Sequence, residues 1–178
     1  LMQFINSPEG INYIFNYKSL FAIIMKPDTY TQIYIHLVFA VKFRDADLNP
    51  DIRQGIFKYL SGILTGMKHK SIIINGVSNH VHVFYGLNPI ISISDTVHEL
   101  KRSSTIYINQ NGLCRSHFAW QEGYGGFSYS KSQIQGVYDY IRDQEAHHHK
   151  RTFREEYLDF LKRNEVEYNE KYLFDFLD

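Results

Sequence analysis

The sequence predicts an α+β domain of the ferredoxin-like kind: a β-α-β-β-α-β antiparallel sheet with additional C-terminal helices. Three observations predict it. Short stretches rich in β-branched and aromatic residues recur along the chain. Longer stretches with apolar residues at helical spacing separate them. Two of the strand-like stretches are joined by a two-residue turn, so they form a hairpin rather than a crossover.

Taken in order, Thr31 to Lys42 (TQIYIHLVFAVK) reads as a long strand, and Phe43 to Leu48 as a polar loop. Asn49-Pro50-Asp51 starts a helix, with Asn as N-cap, Pro at the first helical position and Asp in the first turn. Ile52, Ile56, Tyr59, Leu60, Ile63 and Leu64 carry its apolar face to about Lys68. Ser71 to Val77 and His80 to Leu87 form the hairpin around Ser78-Asn79. Ser92-Ile93-Ser94-Asp95 opens a helix that runs to about Gln110, where Asn111-Gly112 stops it. Phe118 to Gln121 reads as the fourth strand, followed by a glycine-broken loop over Gly123 to Gly126. A helix follows from about Lys131 to His148. Thr152-Phe153-Arg154-Glu155 is a capping box opening a last helix to about Arg163. The open face of such a sheet must be covered by a trailing helix, another subunit or nucleic acid.

The 178 residues suffice for one domain with a hydrophobic core, and 44% hydrophobic with 21% charged residues is ordinary for a globular protein. Residues 1–28 differ in texture and read as an N-terminal extension, with Met25 as an alternative start; an added strand and helix packed on the domain is the other reading. The domain proper spans 29–178. Net charge is zero, but eight acids against four Lys/Arg from Arg154 onward leave a mildly basic body. That neither demands nor excludes a nucleic-acid partner. A single cysteine, Cys114, allows no internal disulfide and fits a reducing cytoplasm, the expected location. The longest apolar run, Leu20 to Met25, falls far short of the ~18 residues of a membrane span, and no secretory signal is legible.

His80-Val81-His82 places two imidazoles on one face of a strand, because side chains at i and i+2 point the same way. Two such nitrogens make half of a divalent-ion site. Chance alone would supply about 0.4 His-x-His pairs from this composition, so the pair does not carry the reading by itself. In the late helix, Ile134, Val137, Tyr138 and Ile141 form an apolar stripe, with Tyr140, Gln144 and His147 on its flank. Tyr138 therefore reads as core, and Tyr140 as a phenol beside an amide, a nucleophile with a neutral oxygen ligand or a surface pair. His148 and His149 read as a solvated helix end complementing its dipole, and His36 as a strand histidine hydrogen-bonded in place.

These motifs resemble the single-tyrosine His-hydrophobe-His (HUH) transposases of bacterial insertion sequences, including the REP-associated tyrosine transposases. The resemblance rests on His80-Val81-His82 after a strand and Tyr140-Ile-Arg-Asp-Gln144 on a late helix. Ordered flanking text agrees: Tyr30 to Phe39, Asn75 to His82, Trp120 to Gly125, and Gln144 to His148. It covers the chain from about Tyr30 onward. Asn79 departs from it, standing where an acidic residue is expected.

The resemblance implies a DNA strand-transferase working by transesterification on single-stranded DNA at element ends. Tyr140 would attack phosphorus to give a 5′-phosphotyrosine link and a free 3′-hydroxyl. His80, His82 and Gln144 would hold the metal, Mg²⁺ or Mn²⁺. DNA hairpins and a homodimer are the implied partners, with Tyr140 able to serve the other subunit's histidines; no membrane or small-molecule substrate is expected. Lys42, Arg44, Lys101, Arg102, Lys131 and Arg142 are candidate phosphate contacts. The rival from another class is a non-catalytic, ferredoxin-like single-strand nucleic-acid binder, though no Lys/Arg-Gly-Phe signature supports it.

Overall fold

The computed structural model describes residues 30–148 and 151–176, so the N-terminal extension expected over 1–28, the side chain of His147 expected on the flank of the late helix, and His149 lie outside the described residues. Four strands, β1 (Tyr34–Ala40), β2 (Lys70–Gly76), β3 (His80–Gly86) and β4 (Gly125–Tyr129), form one antiparallel sheet in the order β2-β3-β1-β4. Helix α1 (Pro50–Gly66) joins β1 to β2, and α2 (Ile93–Gln110) joins β3 towards β4. The succession β-α-β-β-α-β with this strand order is the split-βαβ arrangement. Helices α3 (Ile134–Arg142), α4 (Gln144–His148) and α5 (Phe153–Arg163) follow.

Every residue of β1 is buried, which requires cover on both faces. Alternation sorts the side chains. Ile35, Leu37 and Phe39 of β1, with Val81, Val83 and Tyr85 of β3, pack against Ile56, Leu60 and Leu64 of α1 and Leu100 and Ile108 of α2. The other set, Val38, Ala40 and Phe84, faces the C-terminal elements: Val137 and Ile141 of α3, and Phe153, Tyr157, Phe160 and Leu161 of α5. The face that needed a cover thus receives it from the chain's own trailing helices. An uncovered face is therefore no argument for a partner here; the sheet edges β2 and β4 are what remains of it.

The helix starts follow the expected caps. The Asn49 side chain accepts from Asp51 N at 3.0 Å and Ser92 Oγ from Asp95 N at 3.0 Å. Thr152 and Glu155 form the capping box of α5.

Two expectations are corrected. Phe118 to Gln121 is not the fourth strand: it makes a single bridge, Trp120 to Val41, and Phe118 and Trp120 plug the core beside α2. The strand is Gly125–Tyr129, inside the segment that read as a broken loop. A Cβ on Gly125 would stand 2.8 Å from the Tyr157 ring, so the glycine serves the close approach of α5 rather than flexibility. Likewise the helix expected from Lys131 to His148 is interrupted. A 3₁₀ turn (Lys131–Gln133) leads into α3, and the chain breaks at Asp143 before α4. Asn75 on β2 takes up the carbonyls of Ile141 and Arg142 at that break.

Candidate active site

Because β3 alternates, His80 and His82 point under α3 and α5 while Val81 enters the opposite core. Their cross-strand neighbours on β1 are Ala40 and Val38, small enough to leave room for two rings. Both histidines are fully buried and their Nε2 atoms stand 3.1 Å apart. Each ring is held from behind. His80 Nδ1 bonds Asn79 Oδ1 at 2.8 Å; an amide oxygen only accepts, so the proton sits on Nδ1 and Nε2 turns its lone pair to the centre. Asn79, in place of an acid, therefore orients an imidazole as a carboxylate would. His82 Nδ1 shares a 2.9 Å hydrogen bond with His36 Nε2. Burial depresses His36 to about 3 against the pull of the Glu156 charge, so that ring is neutral. Burial also lowers His82 well below its ordinary value, again opposed by Glu156.

What the sequence reading missed is Glu156. On α5 the buried face runs Phe153, Glu156, Tyr157, Phe160, Leu161, so an acid occupies the apolar stripe. A buried carboxylate demands partners, and that misplaced charge was the available signal. The partners are the two histidines: Glu156 Oε2 lies 3.4 Å from His80 Nε2, and Oε1 3.5 Å from His82 Nε2. Burial alone would raise this carboxyl. The surrounding imidazoles of His82, His148 and His80 outweigh it and hold it far below the carboxylate range.

The same carboxylate collects the late-helix residues. Tyr140 Oη donates to Glu156 Oε1, and the ring meets His82 edge-on with centroids 6.1 Å apart. Gln144 is fully buried; its Nε2 donates to Glu156 Oε1 at 3.0 Å, while its Oε1 has no hydrogen-bond partner. His148 shares a 3.0 Å hydrogen bond with Glu156 Oε2, so it belongs to the site and is not the solvated helix end expected of it. Tyr140 is half-buried, and burial, then the Glu156 charge, then the bond to it, push the phenol far above its ordinary value. Among the described residues, His80, His82 and Glu156 form the one cluster of histidine, cysteine and acidic groups with ligand atoms close enough to share an ion, all within 4.8 Å.

A buried pair of strand imidazoles, each oriented from behind, together with a phenol from a late helix, narrows the fold to few chemistries. The family model described as "Transposase IS200 like" matches residues 29–144. The chain belongs to this family. Among solved structures, this IS200-like chain is similar to a candidate transposase from Deinococcus radiodurans R1 at 21% identity, over 66% of this chain and 94% of that one, with a TM-score of 0.53. It is also similar to a REP-associated tyrosine transposase bound to a REP hairpin, at 15% identity, over 67% and 71% of the two chains, with a TM-score of 0.51. At such identities the likeness speaks for the fold. No curated protein sequence matches the chain. No helix among the described residues is long and apolar enough to cross a membrane.

The transposase's remaining predicted residues are scattered. Tyr138, expected in the core, is half-buried and joins no core cluster, whereas Tyr140 packs against two of them. The break at Asp143 and the covering α5 shift which flank is inside. Lys101 is spent on the chain itself: its Nζ donates to the carbonyls of Gln121 (2.8 Å) and Gly123, and burial lowers it to about 8. That removes it as a phosphate contact. Arg142 lies on the surface between Asp139 and Asp143 at 2.7 and 2.8 Å, and Arg102 near Glu99 at 3.8 Å. Lys42, Arg44 and Lys131 are exposed. Nearer the phenol are two arginines the sequence reading passed over, Arg151 and Arg163, both lining a cavity that Tyr140 also lines.

Proposed function

We propose that this transposase-family protein cleaves and rejoins single-stranded DNA by transesterification, with Tyr140 as the nucleophile. The observation that carries the reading is the convergence on Glu156: phenol, two oriented imidazoles and the Gln144 amide meet at one buried carboxylate. A surface tyrosine or a structural histidine pair would need no such meeting.

In the proposed reaction the Tyr140 oxygen bonds phosphorus and the bond from phosphorus to the 3′ oxygen breaks. The phenol's proton is already directed at Glu156, and one proton ends on the departing 3′ oxygen, leaving a 5′-phosphotyrosine and a 3′-hydroxyl. A 3′-hydroxyl reversing the attack rejoins the strand, so no external energy source is needed. The donor set fits a divalent metal: two Nε2 atoms, a carboxylate, and the orphaned Oε1 of Gln144, a buried acceptor that lacks a partner. Such an ion, Mg²⁺ or Mn²⁺, would act as a Lewis acid on the phosphate and lower the phenol's pKa. His36 and Asn79 keep the imidazoles in register, and α5 covers the side to which they point.

A DNA hairpin with a single-stranded flank is the proposed substrate; a structural neighbour carries a REP hairpin. The catalytic domain is taken as 29–178. A homodimer joined through sheet edges is part of the reading, with each Tyr140 serving its own histidines, since within one chain the phenol bonds the Glu156 carboxylate that faces them. The test is incubation with a labelled hairpin. A covalent adduct mapped to Tyr140 supports the reading; a reversible shift alone, or freely hydrolysed product, overturns it.

A further inference from the structure

Between α3 and α5, beside the Tyr140 ring, lies a cavity of about 380 Å³ that Tyr140, Glu156 and His36 line on the side of the reacting groups. Tyr129 and Phe160 supply aromatic wall, and Arg151 and Arg163 a cationic rim. Asp159 stands between the two guanidiniums, 3.3 Å from Arg151 and 2.8 Å from Arg163, and holds both at the mouth. Gly136, the third residue of α3, also lines it. Glycine inside a helix is destabilising relative to alanine and needs a reason. Gly136 does not have positive φ, and a Cβ there would meet nothing within 4 Å. Neither backbone nor packing demands a glycine, so the position has room for a larger side chain.

We propose that this cavity receives one unpaired base of the DNA strand, turned out beside the phosphodiester that Tyr140 attacks. The inference rests on the proposed function and adds an element that positions the strand. Aromatic walls suit the faces of a base, and every base has them, so stacking supplies affinity. The arginine rim suits the phosphates on either side of the turned-out nucleotide. The volume lies in the range of small-ligand sites.

The experiment uses a hairpin with a single-stranded flank carrying 2-aminopurine at successive positions. Quenching is expected at one flank position with the wild-type protein, partly kept in Gly136→Ala and lost in Gly136→Leu, whose side chain enters the cavity. Both variants should melt at or above the wild-type temperature, because each improves helix propensity, so misfolding cannot mimic the loss. An abasic residue at the quenched position should lower wild-type adduct yield about tenfold and cause no further loss in Gly136→Leu. Equal quenching in wild type and Gly136→Leu at every position overturns the inference. So does equal quenching of the free 2-aminopurine deoxynucleotide, which marks a nucleotide site instead. Adduct formation without a blocked position sinks the inference alone. A blocked position without adduct sinks the catalytic reading alone, and failure to bind any such strand sinks both.

Discussion

The side-chain amide of Asn75, on β2, donates to the carbonyls of Ile141 at 2.8 Å and Arg142 at 2.9 Å, so the sheet itself caps the helix that carries Tyr140. Arg53 reinforces the joint, donating to Gly76 O at 3.2 Å and pairing with Glu145 at 3.0 Å. The phenol is thereby fixed relative to the histidines from the C-terminal end of its helix. Asn75→Ala should lose about 1–3 kcal/mol of stability. It should also lower adduct yield by more than the folded fraction explains, as read by urea titration beside adduct formation at matched folded protein. A yield that simply tracks stability would remove Asn75 from the positioning of Tyr140.

Tyr140→Phe should abolish the adduct, whereas Tyr138→Phe should keep it with little change in stability, because Tyr138 joins no core cluster. Mass spectrometry of the adduct decides. A DNA-bearing peptide carrying its modification on Tyr138 would reverse the assignment.

Chelation, or His80→Ala combined with His82→Ala, should stop cleavage while hairpin binding stays largely intact, since phosphate charge supplies most of that affinity. Cleavage and gel shift are measured on the same samples. Full cleavage in excess chelator would contradict the metal role of the site.

His69 offers a pH test away from the site. Its Nδ1 accepts from Asn88 N at 2.9 Å, so its proton is on Nε2, which donates to Thr96 Oγ1 at 3.0 Å. Burial lowers its pKa below 6.5 in the fold. The unfolded state therefore binds the proton more readily, and the stability contributed is present above 6.5 and lost as pH falls through the folded value. His69→Gln, which cannot titrate, should lose less stability than wild type between neutral pH and about pH 5. Denaturant midpoints of the two proteins at both pH values give the comparison; parallel losses would contradict it.

Much of this protein is legible in one dimension. The β-α-β-β-α-β order, the caps at Asn49, Ser92 and Thr152, and the shared face of His80 and His82 follow from local rules: period 2, period 3.6 and side chains that satisfy the nearest free amides. Tyr140 and Gln144 lie one helical turn apart by the same arithmetic, but the chain breaks at Asp143 and it is Glu156 of α5 to which both side chains bond. Tertiary structure decided the rest. Phe118 to Gln121 has the composition of a strand, yet the sheet edge goes to Gly125–Tyr129, where a Cβ on Gly125 would run into the Tyr157 ring of α5. Lys101 reads as a free cation until the fold brings the carbonyls of Gln121 and Gly123 to it. Glu156 sits far along the chain from His80, and no spacing rule links a helix residue to a distant strand. Packing of α5 across the sheet buries that carboxylate, and a buried charge is tolerated only where other groups converge to compensate it.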